Sequence, residues 1–158
     1  MNTSLIKSCS FFGHSKLNEK DNLEKMLFNE IERLIVEKGF NLFYFGGFGE
    51  FDALCYQVVS QLKSKYTHIK RVFCLIDEKQ KNFSKRPKWL QKEVYEDFVY
   101  FHLSFDYWYT RIYFRNCQII NASDMVIFYV VNKERSGAHK ALVHAINKKK
   151  DYINLGEK

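Results

Sequence analysis

The hydrophobic positions of this chain fall into two alternating patterns, short unbroken apolar runs and longer stretches with helical spacing. An unbroken apolar run suits a strand that is buried on both faces of a parallel sheet. This pattern predicts strands at residues 5–12, 42–45, 72–76, 98–103, 125–131 and 152–155.

The stretches between these runs predict helices. Beyond Asp21, apolar residues recur on one helical face until Gly39, which is a helix-ending residue. Three further helices are predicted after residue 49, over 109–122, and from Ser136-Gly137 through Lys149. The polar, Lys-rich segment 77–93 contains Pro87, and we expect a flexible loop that could cover a site as a lid, anchored by Trp89.

Strands that alternate with helices predict an α/β fold. We expect residues 1–158 to form one Rossmann-like domain of three layers, with a mostly parallel sheet of five or six strands and right-handed crossovers. A chain of 158 residues is long enough to bury a substantial core.

The charge balance is basic, with 25 Lys and Arg against 18 Asp and Glu and a net charge of +7. Such a charge favours anionic partners. Lys residues are spread over predicted helix faces without an Arg-rich, aromatic-interleaved stripe, so solvated helix surfaces explain them better than a nucleic-acid groove.

Four separated cysteines, 9, 55, 74 and 117, form no CxxC pair. They indicate reduced core residues of a cytoplasmic protein. No apolar window approaches membrane-span length, and neither a secretion signal nor membrane insertion is supported. No His, Cys, Asp and Glu set has metal-ligand spacing, so we predict no metal and no cofactor.

The strongest local signal is the run from Asn41 to Asp52, where a buried strand stops at glycines and a helix begins. Gly46, Gly47 and Gly49 let another molecule approach the backbone, and the helix N-terminus that follows attracts an anion. The alternative is that these glycines only let the helix pack tightly on the sheet. The spacing matches neither a P-loop nor the GxGxxG fingerprint.

Two other turns follow predicted strands, at Gly13-His14 and at Arg135-Ser136-Gly137. Because ligands of parallel α/β sheets bind beyond the carboxyl ends of the strands, we expect all three turns to meet at one cleft. His14 either contacts a phosphate or base, or satisfies nearby carbonyls. Ser136 binds phosphate, caps its helix, or does both.

The order and spacing of several motifs resemble the YpsA-like branch of the SLOG superfamily, a Rossmann-like group that includes the DprA (SMF) proteins and the Lonely Guy phosphoribohydrolases. The resemblance spans nearly the whole chain and rests on Phe12-Gly13-His14, Gly46-Gly47-x-Gly-x-x-Asp52, Leu62-Lys63, Tyr66-x-His68-Ile69-Lys70, Arg115-Asn116, Ser123-Asp124 and Ser136-Gly137.

This resemblance implies a domain that binds nucleotides or nucleotide-derived ligands, as a sensor or as an enzyme that cleaves N-glycosidic bonds. Asp52, or Glu50, would be the catalytic carboxylate of such an enzyme. The chain departs from the Lonely Guy pattern, because Phe45 replaces its proline, Glu50 replaces its threonine, and Asp52 is one residue short of its glutamate. Asp52 has an alternative as an acid that complements the helix dipole.

The resemblance also implies that Arg115 contacts phosphate and that Asn116 reads a sugar or base, against the alternative of an ordinary helix-surface pair. Three functions follow in order of preference: a binding module for a nucleoside phosphate or ADP-ribose-like ligand, an N-glycosidic hydrolase or transferase acting on nucleoside monophosphates, and a nucleic-acid-binding protein. Self-association through aromatic surface residues is left open.

Overall fold

The chain forms a six-stranded, entirely parallel sheet with helices packed against it. The structure is a computed structural model that describes residues 5–18, 20–102, 107–131 and 136–157, without the side chains of Lys20 and Trp108. Leu103, at the end of a predicted strand, and Arg135, in a predicted turn, lie outside the described residues. The strands are β1 (Ser8–Gly13), β2 (Leu42–Phe45), β3 (Lys70–Leu75), β4 (Asp97–Tyr100), β5 (Met125–Tyr129) and β6 (Asp151–Asn154).

The strand order is β4-β3-β2-β1-β5-β6, and every neighbouring pair is parallel. The predicted α/β Rossmann-like fold is confirmed. The chain runs outward from β1 through β2 and β3 to β4, then crosses back so that β5 pairs with the other side of β1. In such sheets this reversal opens a crevice at the carboxyl ends of the two flanking strands, here β1 and β5.

The described part of the chain contains five α-helices: α1 (Lys20–Lys38), α2 (Gly49–Lys65), α3 (Lys88–Lys92), α4 (Trp108–Ala122) and α5 (Gly137–Asn147). Four of them pack in two pairs, α1 with α2 and α4 with α5. The larger core cluster lies between the first pair and the sheet and contains Phe11, Phe43 and Phe45. A smaller cluster around Phe128 lies under α5. Strands β1, β3 and β5 contain consecutive buried residues, as their lack of alternation predicts, whereas the edge strands β4 and β6 are partly exposed.

Several predicted ends move by a few residues. β1 begins at Ser8 instead of Leu5, because Leu5 is 82% exposed. β5 ends at Tyr129 instead of Val131, which is also exposed and whose N–H bonds to a loop side chain. α5 ends at Asn147, two residues before Lys149, which adopts a positive φ of 56°.

The expectation of a flexible loop over 77–93 is wrong. The segment folds into two 3-10 helices, Glu78–Lys81 and Phe83–Lys85, followed by α3. Two polar side chains cap these short helices, Asp77 accepting from the Lys79 N–H and Asn82 from the Ser84 N–H. Such local side-chain to backbone bonds stabilise turns in sequences that have no apolar periodicity.

An arginine and a tryptophan attach this segment to the sheet. The Arg86 guanidinium donates to the Gln80 carbonyl at 2.6 Å and lies 3.8 Å from the centre of the Phe98 ring. Trp89 packs against Phe73, with ring centres 6.0 Å apart, so it anchors the segment as predicted. The segment is therefore a packed part of the domain.

All four cysteines are buried and free. Burial raises the pKa of the Cys9 and Cys55 thiols well above the usual range, which makes them poor nucleophiles. Within the described ranges, no helix is both long and apolar enough to cross a membrane. In the same ranges, no three His, Cys, Asp or Glu side chains converge as metal ligands would.

Candidate functional site

The turn between β2 and α2 is held by a carboxylate from its own helix. Asp52 accepts the Gly46 N–H at 3.3 Å and the Gly47 N–H at 2.8 Å, one on each oxygen. Gly47 and Gly49 adopt φ angles of 79° and 92°, which favour glycine. Asp52 thus closes the turn that carries its own helix N-terminus.

Asp52 is only 8% exposed, and burial raises the pKa of its carboxyl to about 6. The two backbone hydrogen bonds and the positive charge of Arg115 pull the pKa in the opposite direction and do not outweigh burial. At neutral pH the carboxylate is therefore ionised. Both of its oxygens accept backbone N–H groups of the turn. Asp52 therefore has a structural role in addition to any contact with a ligand.

Arg115 joins α4 to the ends of two strands. Its Nη1 donates to the carbonyl oxygens of Gly46 and Cys74, both at 3.1 Å, and its Nη2 donates to Asn116 Oδ1 at 3.0 Å. Arg115 is only 2% exposed, so the alternative of an ordinary helix-surface pair is wrong. Burial lowers the pKa of its guanidinium. Its Nε has no hydrogen-bond partner among the described residues.

Gly13 and Gly49 are required by close packing within the protein. A Cβ at Gly13 would lie 2.4 Å from the Phe51 ring, which is fully buried. A Cβ at Gly49 would lie 2.8 Å from the Cα of Ser15. The tight-packing alternative therefore accounts for both glycines without any ligand.

The same is true of Gly46 and Gly47. A Cβ at Gly46 would lie 2.4 Å from Arg115 Nη2, and one at Gly47 would lie 2.5 Å from the Trp89 ring. Gly47 thus faces the 77–93 segment on one side and Asp52 on the other. These glycines let the turn fit between α4, α3 and its own helix.

His14 connects the two strands at the crevice. The backbone N–H of His14 donates to the Tyr129 carbonyl at 3.3 Å, and the Nε2 of its imidazole ring accepts the Val131 N–H at 2.9 Å. An Nε2 that accepts is unprotonated. The His14 side chain therefore fixes the backbone where β5 ends by accepting an N–H, whereas the alternative predicted from the sequence was that it satisfies carbonyls.

Glu50 holds the loop that follows β1. Its carboxylate accepts the Leu17 N–H at 2.8 Å, and its own N–H donates to the Ser15 carbonyl at 2.9 Å. Together these contacts hold the loop against the first turn of α2.

Ser136 caps α5. Its Oγ accepts the His139 N–H at 3.1 Å, in the geometry expected of an N-cap. Gly137 follows as the first helical residue, and no atom of the described residues lies within 4 Å of a Cβ added to it. Gly137 thus differs from Gly13, Gly46, Gly47 and Gly49, which close contacts within the protein require.

A cleft of about 550 Å³ lies at the carboxyl edge of the sheet where these elements meet. Of the candidate site residues predicted from the sequence, Gly47 and Glu50 do not line the cleft. The residues that do line it are Gly13, His14, Gly46, Gly49, Asp52, Arg115, Asn116, Ser136 and Gly137.

Seven of the described lining residues were not among the candidate site residues predicted from the sequence: Phe11, Phe12, Ser15, Lys16, Phe48, Ile112 and Ala138. Of these, Lys16 follows the Gly13-His14 turn by two residues, and Phe48 lies between two of the turn glycines. Proximity to these turns was the available signal for Lys16 and Phe48. Both side chains are exposed.

The Ser123-Asp124 motif lies away from this cleft. Asp124 Oδ2 accepts the Ser8 N–H at 2.9 Å, at the start of β1, and the Ser123 Oγ donates to the Ser10 Oγ at 2.8 Å. This motif links the end of α4 to β1, so its role is in the fold.

No protein-family model matches the sequence, and no curated protein matches it either. Solved structures do match. DNA processing protein A (DprA) from Streptococcus pneumoniae aligns with a TM-score of 0.65 and 17% identity, over 93% of this chain and 49% of that one. DprA from Helicobacter pylori, whose structure concerns single-stranded DNA binding, aligns with a TM-score of 0.62 and 14% identity, over 92% of this chain and 63% of that one.

A third structure, the structural genomics target TM1055, aligns with a TM-score of 0.56 and 18% identity, over 93% of this chain and 72% of that one. The chain shares the fold of these proteins. It spans about half of the S. pneumoniae DprA chain. DprA belongs to the superfamily that the sequence motifs resemble, so the resemblance is confirmed at the level of the fold. Placement in the YpsA-like branch stays a prediction.

Proposed function

We propose that this protein binds a nucleotide or nucleotide-derived ligand, a nucleoside phosphate or an ADP-ribose-like molecule, in the cleft at the carboxyl edge of the sheet. The observation that carries the proposal is that the N-termini of α2 and α5 border the same cleft. A helix N-terminus presents N–H donors and the positive end of its dipole, which stabilise a phosphate. Two of them at one cleft suit a phosphorylated ligand.

The charges around the cleft also support a phosphorylated ligand. Lys16 lines the cleft with an exposed side chain, and Arg115 lies buried in its wall. The chain as a whole carries a net charge of +7. A basic protein with cationic groups at a concave site attracts anions and raises their rate of association.

Asp52 and Asn116 offer the polar contacts that a sugar or base needs. Each Asp52 oxygen accepts one backbone N–H, and a carboxylate oxygen has a second lone pair available for a hydroxyl donor. The cleft volume of about 550 Å³ lies in the range of small-molecule sites. In this proposal Asp52 contacts a ribose hydroxyl while it continues to hold the turn.

A thermal-shift panel tests the proposal. Nucleoside monophosphates, NAD, ADP-ribose and cyclic nucleotides at millimolar concentration should include at least one ligand that raises the melting temperature, because a ligand that binds only the folded chain stabilises it. A flat response across the panel contradicts the proposal.

A second candidate is an N-glycosidic hydrolase or transferase that acts on nucleoside monophosphates. The observation in its favour is that Asp52 lines the cleft and burial raises its pKa to about 6, as in many catalytic carboxyl groups. Asp52 would stabilise the developing sugar cation, and Glu50 is the alternative carboxylate. Release of free base from nucleoside monophosphates, lost in Asp52→Asn, is the expected result. Persistent release in both Asp52→Asn and Glu50→Gln contradicts this chemistry.

Nucleic-acid binding is a third candidate. It is favoured by the likeness in fold to DprA and by the net charge of +7. Filter binding with single-stranded DNA should then show affinity that falls steeply with salt, since each neutralised phosphate contributes a log–log slope of about −0.7 for single strands. Absence of binding at physiological salt removes this candidate.

Self-association also stays a prediction. Helix α4 carries the exposed aromatic side chains of Tyr109, Tyr113 and Phe114. Sedimentation of the full chain over a range of concentrations tests whether two copies associate.

A further inference from the structure

Phe48 is an exposed aromatic residue in the wall of the cleft. It is the N-cap residue of α2 and lies between Gly47 and Gly49, both of which have positive φ angles. Its side chain is 43% exposed. An exposed phenylalanine is common on protein surfaces, but this one borders the site where a ligand phosphate would meet the N-terminus of its own helix.

Two observations place the ring in the cleft wall. The Arg115 guanidinium carbon lies 5.5 Å from the ring centre, within the range of a cation–π interaction. Phe48 also borders a separate apolar hollow of about 110 Å³, whose walls include Phe73 and Trp89. The contact with Arg115 therefore orients an aromatic ring at the border between the cleft and this hollow.

An exposed aromatic ring in the cleft wall suits stacking of a planar ring. Stacking between a nucleobase and an aromatic side chain uses the π-face that every base has, and it contributes strongly to affinity. A sugar phosphate without a base would gain nothing from Phe48. The polar groups of the cleft are thus suited to phosphate and ribose, and Phe48 supplies the apolar surface that they lack.

We infer that Phe48 stacks on the aromatic base of the bound ligand and makes the site selective for nucleotides over sugar phosphates. This inference rests on the proposed function of the cleft. It adds a named residue to that proposal, Phe48, as the specificity-determining residue that touches the base of the ligand.

Calorimetric titration of the full chain with adenosine 5′-monophosphate and with ribose 5-phosphate tests the inference. The wild type should bind the nucleotide at least about tenfold more tightly than the sugar phosphate. Phe48→Ala and Phe48→Leu should weaken nucleotide binding by about tenfold and change ribose 5-phosphate binding by less than about twofold. Phe48→Trp, which keeps an aromatic face, should retain nucleotide binding.

The outcomes separate the two claims. If Phe48→Ala weakens the binding of both ligands equally, or weakens the binding of neither, the stacking role is overturned. The proposal that the cleft binds the ligand is not affected by that result. Equal affinity of the wild type for both ligands also overturns the stacking role. If the wild type binds neither ligand, the inference and the proposed function for this ligand class both fail. The melting temperature of each variant without ligand shows whether the N-terminus of α2 is intact.

Discussion

The Arg115 guanidinium lies 3.1 Å from the Gly46 carbonyl oxygen, so a side chain of α4 supports the turn that begins α2. The same nitrogen reaches the Cys74 carbonyl at the end of β3. One buried cation therefore fixes the ends of two neighbouring strands at the cleft. This explains why the arginine is buried although its segment has the pattern of an ordinary amphipathic helix.

Arg115→Lys should destabilise the fold. A lysine keeps the charge but cannot donate to two carbonyls and Asn116 in the same planar geometry, which leaves buried acceptors unsatisfied. We expect a loss of about 2–4 kcal/mol in the free energy of unfolding. That loss would lower the melting temperature by about 5–15 °C.

The matched control is Arg33→Lys on α1. Arg33 pairs with Glu30 at 2.6 Å, but its side chain is 41% exposed. Surface pairs of this kind contribute less than about 1 kcal/mol. Equal melting temperatures for the two variants would show that Arg115 does not support the turn.

The buried Asp52 predicts a pH-dependent stability. Because the pKa of folded Asp52 is raised by burial from its ordinary value of 3.8 to about 6, protonation favours the folded chain. The resulting stabilisation is complete below the ordinary pKa and is lost as the pH rises through about 6. Urea unfolding of wild type and Asp52→Asn should show the wild-type advantage falling by about 2 kcal/mol from pH 4 to pH 7.

Glu96 provides a control of opposite sign. Burial raises the pKa of Glu96, but its hydrogen bonds and ion pair with Arg71, 2.7 Å away, outweigh burial and hold the pKa below the usual range. Its stabilisation is present at neutral pH and lost as the pH falls. Glu96→Gln should therefore cost more at pH 7 than at pH 4. The same pH trend in both variants would contradict the assignment for Asp52.

Gly13 and Gly137 should respond differently to the same substitution. Gly13→Ala places a methyl group 2.4 Å from the buried Phe51 ring, and we expect a cost of about 1–3 kcal/mol. Gly137→Ala adds a methyl group that meets no atom of the described ranges within 4 Å, at a helical position, so it should be neutral or stabilising by a few tenths of a kcal/mol. Thermal unfolding of both variants measures the difference. Similar losses would mean that the packing at Gly13 is not what requires glycine.

The sequence predicted the sheet well because three of its strands, β1, β3 and β5, contain consecutive buried residues. β2 matches the predicted range of 42–45, since an apolar run there stops abruptly at Gly46. The start of β1 was misplaced because Leu5 and Ile6 extend the apolar run but lie exposed beyond the sheet. The hydrophobic pattern cannot show that the apolar residues before Ser8 lie outside the strand pairing of β1.

The site was predicted less completely, because its side chains are held by distant partners. Arg115 bonds to carbonyls 69 and 41 residues away, and no local pattern indicates its burial. Glu50 bonds to the Leu17 N–H, 33 residues away. The segment 77–93 was missed for a different reason, since its two 3-10 helices are capped by Asp77 and Asn82 and contain no buried residues.

The central claim is that the N-termini of α2 and α5 bind the phosphate of a nucleotide in one cleft. Gly137 allows a direct test, because no atom of the described residues lies within 4 Å of a Cβ added there. An acidic residue in the first turn of a helix is also compatible with the helix dipole. Gly137→Glu places a negative charge at the cleft, and Gly137→Gln adds a side chain of the same size without charge.

The decisive measurement is calorimetric titration of adenosine 5′-monophosphate into wild type, Gly137→Gln and Gly137→Glu, with the melting temperature of each recorded without ligand. We expect the glutamine variant to bind within about threefold of wild type and the glutamate variant to bind at least about tenfold more weakly, because the added carboxylate repels the phosphate at short range. Equal binding by the glutamine and glutamate variants would place the phosphate elsewhere and contradict the claim.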